Sequence, residues 1–576
     1  MKRLLTIFVL LLAFFAVVGV STSASVATST TETVAVIVQA DSVETAVALV
    51  NEYGGQVHEQ LAIIDAVSAE FPAYVLENIS KDGRLVSIYE DASVMASGRD
   101  DDGHDSDRND SDRDDDKPNR PNRRVPDVNF PQVMGVDAAW EAGYTGEGVT
   151  VALVDSGINS MPWNRGRIVA RYDALDNGTR WRDPYGHGTM MAGLIANNKQ
   201  DSNGYVGIAP EVDLVDVRAL DKEGKGTYSD IIEALDWILA HHEEYDIDVV
   251  NLSIVSGYNS PYWADPLDMA VEALWDEGIV VVAAAGNMGP DPLTIAAPGN
   301  DPYVITVGAF TDNFTPDDES DDYVTPFSSA GPTETGFVKP DVIAPGAHML
   351  TEVSRVTYWA REHKDNHVKG QFYETAGTSS ATAVTTGVVA LMLEANPDMT
   401  PNEVKYALMN SARPAVYEDG SLAWSIFQQG AGRVWAETAV LNPPQGEANA
   451  GMVIGEPYVG PVVYRDDQFM IVDENGDPLT DASGYAWAGG YAWAGGYAWA
   501  GGYAWAGGYA WAGGYAWAGG YAWAGSTDWQ PVEPGSVWQS GYAWAGGYAW
   551  AGGYAWAGGY AWAGGYAWAG LVDSAE

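Results

Sequence analysis

The sequence predicts an α/β protein whose main domain is a doubly wound, mostly parallel sheet, and three observations carry that expectation. Between Gly146 and about Val440, strongly apolar runs alternate with helical stretches. The runs "GVTVALVD", "VDLVDVRAL", "DVVNLSI" and "GIVVVAAAGN" are apolar almost throughout rather than at every second position, as strands covered on both faces must be. The intervening "YSDIIEALDWILAHH" and "PLDMAVEALWDE" have the 3.6-residue apolar spacing of helices that lie over such a sheet. In sheets of this kind ligands gather beyond the carboxyl ends of the strands.

Other segments flank that domain. Residues 1–24 read as an export signal: Lys2 and Arg3 precede an apolar run from Leu4 to Val20, and the small residues that follow suit cleavage after Ala24 or Ala27. The run is shorter than the roughly 20 residues that comfortably span a bilayer. The expectation is a secreted or extracellular protein, held at the cell surface if its tail binds there. With no cysteine, it is expected to hold its fold by core burial rather than disulfides. Residues 31–95 read as a compact α+β unit of order βαββαβ, which suits a ferredoxin-like fold. Residues 96–125 are acidic, with ten Asp among the seventeen residues from Asp100 to Asp116. Such a stretch cannot bury enough apolar surface to offset its ordering entropy, so a disordered linker is expected. Residues 126–442 hold the α/β domain and 443–484 are expected to form a second linker.

Residues 485–570 are a low-complexity repeat tail. The unit YAWAGG, sometimes truncated, occurs twelve times, seven before and five after "STDWQPVEPGSVWQS". Alternating aromatic and small residues followed by Gly-Gly match short strands joined by two-residue turns, so the tail is expected to be β-rich. Its exposed rings suit self-association or stacking on cell-surface polysaccharide. The net charge of −50 argues against nucleic-acid binding, which needs clustered Lys and Arg.

Four polar residues stand where the sheet predicts a site. Asp155 ends "VALVD" before a Ser-Gly turn, His187 lies between two glycines at a helix start, Asn287 follows Gly at a strand end, and Ser379 sits in "GTSSATA" at a helix N-terminus. Each has an ordinary structural explanation alone. Together they are the residue types that acyl transfer requires. A serine hydroxyl is a weak nucleophile until a neutral imidazole takes its proton, and that imidazole needs a carboxylate to orient it. The oxyanion that forms needs fixed donors, which the Asn287 amide and the Ser379 backbone N–H can supply.

The motifs "VDSGI", "GHGT", "AAGN", "FSSAGP", "PDVIAPG", "GTSSAT" and "GAGRVWA", in this order, resemble the subtilisin-like serine proteases over about residues 126–442. The resemblance implies a serine endopeptidase acting on protein and peptide substrates, with Asp155, His187 and Ser379 as triad, Asn287 and Ser379 at the oxyanion, and no cofactor for catalysis. It implies that Ser380 is not the nucleophile. It further implies substrate contacts from Gly224, Gly226, Ser253, Ile254, Val255 and Ala296. Where the family often reads "NMSLG", this chain reads "NLSIVSG", so Val255 replaces a glycine and narrows the cleft near the first specificity pocket. A broad preference for a sizeable apolar side chain is expected there, with Ala296 on the floor. Residues 31–95 resemble the family's propeptide, which inhibits the enzyme until the enzyme cuts it off. The stretch "ANNKQDSNGYVGIAP" resembles a structural calcium loop, with Asn197, Asn198, Asp201 and Asn203 as oxygen ligands. Two rival readings exist. One is a surface or assembly protein with a weak or idle protease domain, acting through the repeats. The other is a lipase or esterase, which the absence of a G-x-S-x-G elbow disfavours.

Overall fold

The computed structural model describes residues 33–97, 125–175, 182–257, 260–417, 422–465, 468–472 and 476, together with Trp544–Ala545 and Trp568–Ala569. The expected export signal, nearly all of the acidic linker and nearly all of the repeat tail lie outside the described residues. The two described pieces of the tail form a parallel pair, Trp544 beside Trp568 and Ala545 beside Ala569.

The N-terminal unit runs β1 (Thr33–Ala40), α1 (Val43–Glu52), β2 (Gln56–Leu61), β3 (Ala66–Pro72), α2 (Leu76–Ile79) and β4 (Leu85–Glu90). Its sheet has the order β2-β3-β1-β4 with every pair antiparallel. The helix α1 begins where the Ser42 hydroxyl accepts the Thr45 N–H at 3.2 Å. Period-two alternation along β1 sends Val36 and Val38 into a small core with Leu49, Val50 and Phe71. Ile37 points to the opposite face and joins Leu61 and Ile64 in the core of the main domain. The unit therefore leans on that domain by one sheet face. Beyond β4, strand β5 (Ser93–Ala96) leaves the unit altogether.

The main domain opens with α3 (Phe130–Val133) and α4 (Val136–Ala142), then β6 (Thr150–Asp155), β7 (Ile168–Asp173), α5 (His187–Ala196), β8 (Asp213–Arg218), β9 (Lys225–Thr227) and α6 (Tyr228–Tyr245). It continues through β10 (Ile247–Leu252), β11 (Ile254–Ser256), α7 (Pro266–Asp276), β12 (Val280–Ala284), β13 (Ile305–Thr311), β14 (Tyr323–Val324), β15 (Val342–Pro345), α8 (Tyr358–Glu362) and α9 (Thr378–Ala395). The sheet order is β14-β13-β12-β10-β6-β8-β7, with β15 also beside β13. Only the β13–β14 pair is antiparallel. This is the doubly wound, mostly parallel α/β sheet that the sequence predicts. Every residue of β6, β12 and β13 is buried, as strands covered on both faces require. The chain leaves β6 toward β8 and β7 on one side and toward β10 and β12 on the other. That switch opens a crevice at the carboxyl end of β6.

Two segment boundaries differ from the expectation. The N-terminal segment does not stop at residue 95, because β5 carries it to Ser97 inside the main domain. Residues 443–484, expected as a linker, are in their described part folded onto the domain. Val462, opposite Ile471, and Phe469, opposite Tyr464, lie on two short antiparallel strands and close a core with Val338, Ile426 and Phe427. The Tyr458 N–H also donates to the Tyr262 hydroxyl at 2.7 Å. Val462 and Phe469 find their core partners more than thirty residues away in sequence, which local pattern does not reveal.

Candidate active site

Asp155 ends β6 and His187 begins α5, and both are 1% exposed. The His187 Nδ1 lies 2.8 and 3.0 Å from the two Asp155 oxygens. Glycine at 188 is what lets these elements approach, since a Cβ there would stand 2.3 Å from the Gly157 carbonyl oxygen and 3.1 Å from the Asp155 Cβ. A residue that sequence reasoning missed locks the approach. Buried Asp183 accepts the Ser156 hydroxyl at 2.9 Å and the Gly186 N–H at 2.5 Å on one oxygen, and the Thr189 N–H and hydroxyl at 2.9 and 2.6 Å on the other. It ties the turn after Asp155 to the start of the His187 helix. Burial pushes its carboxyl pKa up, and its hydrogen bonds to Thr189 and Gly186 oppose that shift. Its only sequence signal is its place four residues before His187.

Ser379 lies in the first turn of α9, which follows Gly377. Ser379 Oγ and His187 Nε2 are both buried without a hydrogen-bond partner. Such contacts often tighten only with substrate in place. Ser253 braces the turn by donating its hydroxyl to the Ser379 carbonyl at 3.0 Å. Thr378, also missed, donates its N–H and hydroxyl to Asn287 Oδ1 at 2.9 and 3.0 Å, which turns the Asn287 NH2 group outward. That NH2 donates to the carbonyl oxygen of Ser97 at 2.8 Å, and the Ser379 N–H reaches the same oxygen at 3.3 Å.

The remaining predicted positions surround the strand that ends at Ser97. Strand β5 lies antiparallel between β11 and β9, with Ile254 opposite Ala96, Val255 opposite Met95 and Gly226 opposite Val94. The Ser97 N–H donates to the Ser253 carbonyl at 2.9 Å and the Ala96 N–H to the Gly224 carbonyl at 3.0 Å. Gly224 has φ +75°, and a Cβ on it would meet the Tyr185 ring at 2.5 Å; one on Gly226 would meet the Ala219 carbonyl at 2.4 Å. Val255 packs with Ala284 and Ala296 in a small apolar cluster.

The proposed calcium loop uses its oxygens internally. Asn197 Oδ1 accepts the Lys199 N–H at 3.1 Å while its amide donates to Glu352 at 3.2 Å. Asp201 accepts the N–H groups of Val128, Asn203 and Gly204 at 2.6, 2.6 and 3.1 Å. The Asn203 amide donates to the Val128 carbonyl at 2.8 Å, and Asn198 is exposed. The cation beside the loop is the Lys199 ammonium, 2.6 and 2.7 Å from the two oxygens of Glu352. Asp201 and the Asn197 amide oxygen are thus engaged in hydrogen bonds of the loop and its neighbours. Among the described residues no group of three or more His, Asp or Glu side chains could hold a metal.

A doubly wound α/β domain carrying this site, read with its relatives, defines a serine endopeptidase. Residues 146–433 match the subtilase family model. The chain is 43% identical over 303 residues to the serine protease AprX of Bacillus subtilis, covering 51% of this chain and 67% of that protein. It is 29% identical over 369 residues to subtilisin E of Bacillus subtilis, covering 63% and 80%. Among solved structures it is similar to fervidolysin from Fervidobacterium pennivorans, a keratinolytic enzyme related to subtilisin, with a TM-score of 0.54, 21% identity and coverage of 78% and 69%; this likeness concerns the fold. The chain belongs to the subtilase family of serine proteases.

Proposed function

We propose that the chain is a secreted, self-processing endopeptidase in which Asp155, His187 and Ser379 form the triad. The observation that carries this reading is the Ser97 carbonyl oxygen, held between Asn287 Nδ2 at 2.8 Å and the Ser379 N–H at 3.3 Å. A carbonyl in that position is polarised before reaction, and the same donors meet the oxyanion as charge develops. Ser379 Oγ attacks the carbonyl carbon as His187 Nε2 takes its proton. Asp155 holds the Nδ1–H and balances the imidazolium. The leaving amine takes that proton, and water, deprotonated by His187, then hydrolyses the acyl-enzyme. No step needs a metal or organic cofactor.

In this reading the N-terminal unit is a propeptide that inhibits its own enzyme by lying in the cleft as strand β5. The repeat tail serves self-association or attachment to the cell surface. Among the described residues no helix is long and apolar enough to cross a membrane.

Replacing Ser379 with Ala is expected to abolish casein digestion and leave the N-terminal unit covalently attached, whereas Ser380→Ala does neither. Mass spectrometry of the protein's termini and labelling by a serine-directed fluorophosphonate check both. An inactive Ser380→Ala enzyme beside an active Ser379→Ala one overturns the assignment. An unlabelled wild-type protein that digests nothing favours the assembly reading.

A further inference from the structure

The strand lying in the cleft also records which side chain the first specificity pocket admits. Ser97, whose carbonyl faces the two oxyanion donors, is 1% exposed. Upstream of it Ala96 is buried, Met95 is 48% exposed and Val94 is fully buried. The cleft therefore encloses the side chains at Ser97, at Ala96 and three positions before Ser97, and leaves Met95 to solvent.

Beside the strand in the cleft, the apolar neighbours of Val255 are small. Val255 stands where the family often has glycine, and its side chain fills the space against Ala284 and Ala296, with Cγ1 3.6 Å from where a Cβ on Gly286 would sit. Val255 pairs through its backbone with Met95 of β5, so with a strand in the cleft its side chain is the part left to turn. A single branched residue is stiff in that respect.

The hydroxyl of Ser97 is also used. Its Oγ lies 2.8 Å from Thr378 Oγ1. Thr378 Oγ1 donates its one proton to Asn287 Oδ1 at 3.0 Å and accepts the Gly286 N–H at 3.2 Å. One acceptor position remains on it, so the Ser97 hydroxyl is the donor. A serine before the scissile bond thus bonds to the residue that orients the oxyanion amide.

We propose that this enzyme cleaves after small residues, serine first and alanine next, with a branched aliphatic residue three positions upstream, and that its maturation cut falls on the carboxyl side of Ser97. The proposal replaces the expectation of a sizeable apolar side chain in the pocket. It rests on the reading of Ser379 and Asn287 as nucleophile and oxyanion donor. The cut is a hydrolysis: the C–N bond after Ser97 breaks, water supplies the new carboxylate oxygen, and the departing amine takes a proton from His187.

The test uses the mature enzyme on peptides of the form Val-Ala-Ala-X, cleaved after X. With X as Ser or Ala, kcat/KM is expected to exceed that for Phe by roughly 100-fold, the scale on which a pocket rejects a misfitting side chain. Val255→Gly is expected to raise the Phe to Ser ratio at least about tenfold, and Val255→Ala to raise it less. Fluorophosphonate labelling of Ser379 reports whether each variant is folded. In the precursor, the released N-terminal fragment is expected to end at Ser97, and Ser97→Phe to block release. A wild-type preference for Phe or Leu, or a ratio unmoved in both labelled variants, overturns the proposal and leaves the protease reading intact. A fragment ending elsewhere overturns the assigned maturation cut. Failure of the wild type to turn over any peptide, together with failure to label, overturns the protease reading and the proposal with it.

Discussion

His187 is held from two sides, by Asp155 on its ring and by Asp183 on the backbone that carries it. Asp183 touches no substrate, so its effect reaches the reaction only through position. Both its oxygens accept N–H groups, from Gly186 on one and Thr189 on the other. An asparagine there must turn its NH2 toward one of those donors. Asp183→Asn is therefore expected to lower stability by about 1–3 kcal/mol, the cost of a buried donor left without an acceptor. It is also expected to lower kcat roughly tenfold with little change in KM, because the lost interaction orients the proposed base rather than binding substrate. Thermal unfolding and steady-state kinetics on one substrate check the two parts separately.

Helix α9 is built largely of small residues along a fully buried stretch. Every residue from Thr378 to Leu393 is buried, so the run of small side chains does serve tight packing. The same helix presents Ser379 at its first turn, where free N–H groups favour negative charge. A helix buried along its length is also a rigid mount for the nucleophile proposed here. Gly387 marks how close the packing is: a Cβ there would lie 2.5 Å from the Ile208 Cβ. Gly387→Ala is expected to lower stability by about 1–3 kcal/mol through overpacking, despite the better helix propensity of alanine. A fall in Tm with unchanged kcat per fluorophosphonate-titrated site is the expected result, and an unchanged or raised Tm contradicts it.

At the scale of the whole molecule, two contacts between segments make predictions. Carboxylates face one another where the N-terminal unit meets α6: Glu59 lies beside Glu233, with Asp91 and Asp230 near. Burial and the neighbouring Glu233 push the Glu59 pKa up to about 8. The released unit returns Glu59 to the usual range near 4.3, so docking takes up a proton between these values. Docking is strongest below about pH 4.5, weakens as pH rises through the window, and reaches its floor above about pH 8. Inhibition of the mature enzyme by residues 31–97 is expected to be at least about tenfold weaker at pH 8 than at pH 5, compared with the uninhibited rate at each pH. Glu59→Gln is expected to flatten that slope. At the other end, a chain ending after Gly476 is expected to keep peptide turnover and to lose self-association or retention on insoluble material. A chain ending at Pro444 also loses burial of Val462 and Phe469, each contributing about 1.5–3 kcal/mol, and is expected to unfold at lower temperature.

The sequence alone determined what is written in local pattern. Buried strands read as apolar runs, helices as 3.6-residue spacing, and Asp155, His187, Asn287 and Ser379 as polar residues at strand ends and helix starts, because these signals depend on near neighbours. Tertiary structure decided what depends on residues far apart in the chain. Thr378 meets Asn287 across 91 residues, and Ser97 meets it across 190. Lys199 finds Glu352 across 153 residues, a pairing that no local pattern announces. Val255 could be seen to replace a glycine, but its packing on Ala284 and Ala296, on which the proposed preference for a small side chain rests, came only from the fold. The physical reason is one throughout: propensity and periodicity are summed along the chain, whereas hydrogen-bond satisfaction and steric fit are settled between whichever atoms the fold brings together.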